Sequence, residues 1–170
     1  MPAIKKIFIF HGLFLLAFFL SAQAQLPPLD SIQLKTLKGP MISYGELARK
    51  NPVILVCFWS VNSDPSINEL NAINKQYEKW KQLASFKLVA VCVDQGNLLN
   101  RMRPTFNMNG WTFDVYADIN GDLQKALSSN APPQSMVLQN GKIVYQQAGF
   151  QAGTEDYLFE QVKKLAPAMK

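Results

Sequence analysis

Two apolar runs, separated by a segment with helical periodicity, organise the chain. They cover residues 53–59 and 86–93 and are rich in β-branched and aromatic side chains, which is typical of strands buried on both faces. Between them, apolar residues recur at spacings of three and four and define one face of a long helix: Ile67, Leu70, Ile73, Tyr77, Trp80 and Leu83. This order predicts a βαβ unit with a right-handed crossover.

Weaker patterns predict elements on both sides of this unit. Before it, rough alternation over 31–37 indicates a strand, with 41–42 pairing back, and the Ser43-x-x-Glu46 capping box starts a helix that runs to about Arg49. After it, we expect strands over 111–117, 134–138 and 142–147, the last two flanking Asn140-Gly141. We expect one helix over 98–103, which Pro104 ends or kinks, a short helix after the turn at 118–122 that runs to about 127, and a final helix that starts at a Thr154 cap.

The first 24 residues have the features of a secretory signal peptide. Lys5 and Lys6 precede an apolar stretch over 7–20, and Ala22-Gln23-Ala24 forms a small-residue cleavage site. The apolar stretch is shorter than the roughly 20 residues that span a bilayer. We therefore predict one domain over 25–170, with a mature chain that starts at Gln25 and is periplasmic or secreted.

Composition narrows the classes of function. The full chain has 170 residues, of which 48% are hydrophobic, and a formal net charge of +5. Loss of the two leader lysines lowers this charge to +3, and no basic run typical of nucleic-acid binding remains. No further segment could span a membrane, so we expect no membrane association after cleavage. The single histidine, His11, lies in the leader, so the mature chain lacks an imidazole for general-base catalysis.

The two cysteines, Cys57 and Cys92, lie inside the two apolar runs. Because buried free cysteine is a common small core residue, we favour two buried thiols. An exported protein can also form disulfides, so one cross-strand disulfide is the alternative.

The junction between the first apolar run and the long helix is the candidate site. It reads Ser63-Asp64-Pro65-Ser66, in which Ser63 is a natural N-cap and Pro65 suits the first helical turn. We expect Glu69 to bond back to this cap. Without a histidine, the serines lack an evident activating base. The Asp118-x-Asn120-x-Asp122 stretch is interpreted as a turn and a helix cap, not a metal site, because the remaining ligands of a calcium loop are missing.

The chain resembles the thioredoxin superfamily. Residues 58–70, FWSVNSDPSINEL, match the active-site pattern F-W-A-x-W-C-x-P-C-x-x-E-L, with Ser63 and Ser66 at the two cysteine positions. Residues 110–118 and 133–144 are similar to segments of its exported TlpA/ResA-like, AhpC/TSA-related branch. The resemblance implies an α/β thioredoxin fold: a central mixed β-sheet flanked by helices, with an N-terminal β-hairpin and an inserted helix and strand.

The resemblance also assigns positions around the site. Cys57 falls where thioredoxins often carry a buried acid, and Pro132 precedes the presumed cis-proline Pro133. The expected binding residues are Trp59, Ser63, Asp64, Pro65, Ser66, Pro132 and Pro133.

Thiol-disulfide exchange requires a thiolate and a partner thiol, and the motif supplies neither. We therefore expect a redox-inactive binding module, without cofactor or metal, for a peptide or protein partner in the cell envelope. The alternative is a thiol-disulfide oxidoreductase that uses Cys57 and Cys92.

Overall fold

A seven-stranded mixed sheet runs through the part of the chain that the computed structural model describes, residues 27–167. The proposed leader, residues 1–24, lies outside this range. The strand order is β2-β1-β5-β4-β3-β6-β7, and β3, β4 and β5 are parallel while the other pairings are antiparallel. The strands are β1 (Gln33–Thr36), β2 (Met41–Ser43), β3 (Val53–Trp59), β4 (Lys87–Cys92), β5 (Val115–Ala117), β6 (Gln134–Gln139) and β7 (Lys142–Ala148).

Helices cover both faces of this sheet. They are α1 (Tyr44–Lys50), α2 (Asp64–Leu83), α3 (Met102–Asn109), α4 (Asp122–Ala126) and α5 (Thr154–Leu165), with 3₁₀ turns at Leu29–Ser31 and Gly96–Arg101. Within residues 27–167, no helix combines the length and the apolar character needed to cross a bilayer.

Each face of the sheet carries its own apolar core, because successive side chains of a strand point to opposite faces. In β3 all seven residues are buried. Its odd-numbered residues join the core under α2, α3 and α5, whereas its even-numbered residues join the core under α1 and α4. The prediction of a strand covered on both faces is confirmed.

The predicted α/β thioredoxin fold is confirmed, including the N-terminal hairpin and the inserted helix and strand. The Ser43 cap of the predicted capping box is also present, since the backbone N–H of Glu46 donates to Ser43 Oγ at 3.1 Å.

Four local predictions were wrong at their boundaries. Helix α3 begins at Met102 and places Pro104 in its first turn, where a missing N–H costs no helical hydrogen bond. Only Val115–Ala117 of the predicted 111–117 strand pairs with its neighbours. Gly153, with φ of 95°, caps α5 in place of Thr154. Leu83, which was predicted on the apolar face of the long helix, is 46% exposed because α2 ends at this residue.

Candidate functional site

The register of the sheet brings the start of α2 to the start of β6. Strand β6 runs antiparallel to β3 with Phe58 opposite Gln134, so the residue before β6, Pro133, lies level with the end of β3. The Pro132–Pro133 peptide bond is cis. The Pro133 carbonyl accepts a hydrogen bond from the backbone N–H of Gly149 at 2.9 Å. The predicted binding positions at 63–66 and 132–133 therefore come from elements that meet at one end of the sheet.

The two serines of the motif bond to each other at the N-terminus of α2. The hydroxyl of Ser66 donates to Ser63 Oγ at 2.7 Å, and the backbone N–H of Ser66 donates to the same oxygen at 3.4 Å. Ser66 is fully buried and Ser63 is partly exposed, while Asp64 and Pro65 lie at the surface. The prediction that Ser63 caps α2 is confirmed. A hydroxyl pair of this kind fixes the turn, but it forms no disulfide bond.

Trp59 does not belong to the binding surface that the motif predicted. Its side chain is fully buried, and its ring meets that of Trp111 edge to face with centroids 5.0 Å apart. Because Trp59 points from β3 into the core under α2, it supports the site from beneath and is not available to a ligand.

Both cysteines are free and buried, which confirms the favoured prediction over the disulfide alternative. Burial, followed by the nearby charge of Glu69, raises the pKa of Cys57 well above its ordinary value. Burial is also the main cause that raises the pKa of Cys92, whose Sγ donates to Asp94 Oδ2 at 3.3 Å. Burial and the raised pKa values both favour the thiol over the thiolate, which is the nucleophilic form of cysteine.

The predicted hydrogen bond of Glu69 to the helix cap was wrong. Its carboxyl does not bond back to the helix cap; it accepts a hydrogen bond from Ser135 Oγ at 3.0 Å and is 1% exposed. Ser135 lies on β6 directly opposite Cys57. Burial raises the pKa of Glu69 to about 7, although the hydrogen bond from Ser135 opposes the shift. A titratable carboxyl thus lies one helical turn below Ser66.

A signal for this placement was present in the sequence. Glu69 follows Ser66 by three positions and precedes Ile73 by four, so it shares the buried face of α2. The predicted contact of Glu69 with the cap took no account of this helical spacing.

Two buried polar side chains hold the loops that border the site. The carboxylate of Asp94 accepts hydrogen bonds from Ser60 Oγ and the backbone N–H of Val61, both at 2.7 Å, and so fixes the loop before α2. Gln134 Oε1 accepts hydrogen bonds from Ser129 Oγ and from the backbone N–H of Asn130, which fixes the approach to Pro132. The site therefore has a defined shape on both sides.

The chemistry available for metals is limited. Among residues 27–167, no group of three or more His, Cys, Asp or Glu side chains is arranged to hold a metal ion. The carboxylate of Asp118 instead accepts hydrogen bonds from the backbone N–H groups of Asp122 and Gln124, at 3.0 and 2.8 Å. This geometry agrees with the interpretation of the stretch as a turn and a helix cap.

The family follows from comparison with known proteins. A family model described as the AhpC/TSA family matches residues 27–149. The chain belongs to the AhpC/TSA family. Its structural neighbours place this family member within the thioredoxin superfamily, although no curated protein sequence matches it significantly.

Solved structures of other thioredoxin-like proteins are similar to this AhpC/TSA family member. A thioredoxin-like protein from Porphyromonas gingivalis is 31% identical, with a TM-score of 0.69, and the match covers 84% of this chain and 92% of that one. StoA from Bacillus subtilis is 23% identical with a TM-score of 0.62, over 78% and 98%. A protein titled as a thiol:disulfide interchange protein DsbE, from Chlorobium tepidum, is 21% identical with a TM-score of 0.68, over 83% and 99%. The last two likenesses show the fold alone.

Proposed function

We propose that this AhpC/TSA family member is an exported, redox-inactive binding module of the cell envelope. The observation that carries the proposal is the hydrogen-bonded pair of Ser63 and Ser66 at the position where the fold's exchange chemistry needs two cysteines. A serine hydroxyl is hardly ionised at neutral pH. The buried thiols of Cys57 and Cys92, with raised pKa values, do not replace the missing pair.

The geometry around the serine pair suits an extended polypeptide. Ser63 Oγ accepts two hydrogen bonds, which leaves its own hydrogen as a donor at the partly exposed end of the pair. Asp64, Pro65 and Ala131 add surface on both sides of the site. Neither Pro132 nor Pro133 has a backbone N–H, so at these two residues a docked strand can only donate its own N–H groups to a backbone carbonyl. A short strand of a partner protein, held by few hydrogen bonds, is the ligand that we infer.

The redox part of the proposal is tested by insulin reduction with dithiothreitol. We expect no turnover above the uncatalysed rate for the wild-type protein, because its thiols are buried and protonated. The Ser63→Cys/Ser66→Cys variant serves as the positive control and is expected to gain activity. Wild-type turnover that disappears in Cys57→Ala would establish the oxidoreductase alternative instead.

The binding part is tested by thiol exchange on the Ser63→Cys variant, which retains Ser66. The new thiol of this variant is first converted to the mixed disulfide with 5-thio-2-nitrobenzoate, and the labelled protein then reacts with an extended peptide that contains one cysteine. We expect the rate of 5-thio-2-nitrobenzoate release to saturate with peptide concentration. The same peptide with serine in place of cysteine should compete and slow this release. The matched control is Ser85→Cys, at an exposed position outside the site. Strictly linear kinetics in both variants would contradict a binding groove.

A further inference from the structure

A concave region lies away from the serine pair, between β5 and α3. This β5–α3 groove has a volume of about 580 Å³ and is bordered by the β1–β2 turn. Its apolar lining includes Leu37, Phe106, Phe113 and Val115. Pockets that hold small organic molecules have volumes of roughly 300–1,000 Å³ and similar, mostly apolar walls. Strand β4 separates β5 from β3, so the groove belongs to a different part of the sheet from the serine site.

The walls of the β5–α3 groove are held in place by packing and by one hydrogen bond. Phe113 stacks on Trp111 with centroids 5.6 Å apart, and Phe106 meets the same indole edge to face at 6.3 Å. The guanidinium of Arg103 donates to the backbone carbonyl of Leu37. This bond joins α3 to the turn after β1. The groove is therefore formed before any ligand binds, which lowers the entropic cost of binding.

The polar groups of the groove carry an excess of positive charge. Lys38 and Arg103 both line it. Among the described residues, neither lies within salt-bridge distance of a carboxylate, and the one groove carboxylate, Asp114, pairs with Lys87. The carbonyl partner of Arg103 is neutral, so its charge is not compensated. An apolar cleft with two cationic side chains is complementary to a molecule with an apolar tail and a single negative head group.

We propose that the β5–α3 groove binds a small monocarboxylate with an apolar tail. The tail lies against the two phenylalanines, and the carboxylate pairs with the charged groups of Lys38 and Arg103. This site is independent of the proposed peptide site, since the two share no residue.

The proposal is tested by isothermal titration calorimetry with octanoate, and the combined fluorescence of the three tryptophans gives a second readout for the wild-type protein. Octan-1-ol and octylammonium carry the same tail with a neutral and a positive head. We expect saturable one-to-one binding of octanoate, weaker binding of octanol by about tenfold or more, and the weakest binding of octylammonium. Absence of saturable octanoate binding, or equal affinity for the three probes, would overturn the proposal.

Variants locate the binding within the molecule. Lys38→Gln removes one positive charge and retains the Arg103–Leu37 hydrogen bond that shapes the groove. It should weaken octanoate binding about tenfold and leave octanol unchanged, whereas Lys38→Arg, which retains the charge, should stay near wild-type affinity. Asn107→Trp fills the rim from an exposed helix position and should abolish binding of octanoate and octanol. Asn97→Trp, an exposed position that does not line the groove, is its control. Unchanged octanoate affinity in both the charge and the rim variants would show that the probe binds elsewhere.

Discussion

At the scale of single residues, two serine hydroxyls hold the first turn of α2. The hydroxyl of Ser66 donates to Ser63 Oγ, which also accepts a hydrogen bond from the backbone N–H of Ser66. Beneath this turn, Glu69 is buried next to Ser135 and Cys57, and this burial raises the pKa of its carboxyl.

Glu69 makes stability depend on pH. Its pKa is raised from 4.5 to about 7 in the folded protein, so the folded state binds a proton more tightly than the unfolded chain does. The stabilisation is complete below about pH 4.5 and is lost as the pH rises towards 7. The difference between the two limits is on the order of 3 kcal/mol.

We expect Glu69→Gln to remove most of this pH dependence, because the amide retains a hydrogen-bond acceptor for Ser135 but does not ionise. Urea unfolding at pH 4, 5.5 and 8 measures the effect. Glu78→Gln, at an exposed position of the same helix, is the matched control and should follow the wild-type curve. If Glu69→Gln also followed it, the buried carboxyl would not be the source of the dependence.

At the scale of elements, the ends of the helices are where local sequence and neighbouring structure meet. Ser43 and Ser63 supply caps that depend only on residues three positions away. Helix α1 has a second requirement that its own sequence does not reveal. Gly45 is buried against the 3₁₀ turn at 29–31, and a Cβ at this position would lie 2.5 Å from the backbone carbonyl oxygen of Asp30.

Gly45→Ala should therefore destabilise the protein by about 1–3 kcal/mol, since backbone must move to make room. The sign of the change in the free energy of unfolding is informative, because helix propensity alone predicts that alanine stabilises a helix interior by up to about 1 kcal/mol. Urea unfolding of Gly45→Ala beside Arg49→Ala, an exposed position of the same helix, separates the two effects. A stabilised Gly45→Ala variant would mean that α1 does not pack on this turn.

At the scale of the whole molecule, β3 divides the interior into two cores and α2 closes the larger of them. Trp80, near the end of α2, is 2% exposed and stacks on Phe159 of α5 with centroids 4.6 Å apart. Trp80 thereby joins the βαβ unit to the last helix of the chain. The fold is stabilised by contacts between segments far apart in sequence.

Trp80→Ala should lower the free energy of unfolding by about 3–5 kcal/mol, because the ring leaves a large cavity between two helices. Leu83→Ala is the control. Leucine at this position was expected on the same apolar face, but it is 46% exposed and its truncation should cost less than about 1 kcal/mol. Chemical denaturation of both variants measures the difference. Equal losses for the two would contradict the packing of α2 against α5.

The sequence by itself determined the order of the strands and helices, the cap at Ser63 and the absence of sulfur at the motif. These features depend on periodicity over a few residues and on residue type, which local physical chemistry decides. Elements without a strong period were less well defined. The strand after Trp111 is shorter than its pattern suggests because only Val115–Ala117 pairs with β4, and only Tyr116 and Ala117 of these also pair with β1.

Only the tertiary structure decided which residues from distant parts of the chain contact each other. It buried Trp59 and bonded Glu69 to Ser135, a residue 66 positions away. It also joined α3 to the β1–β2 turn through Arg103 and so formed the β5–α3 groove. Burial and the pKa shift that follows from it depend on atoms contributed by distant segments. Helical spacing places Glu69 on the buried face of α2, but no local pattern identifies Ser135 as its partner, because the register between β3 and β6 is set by the packing of the whole sheet.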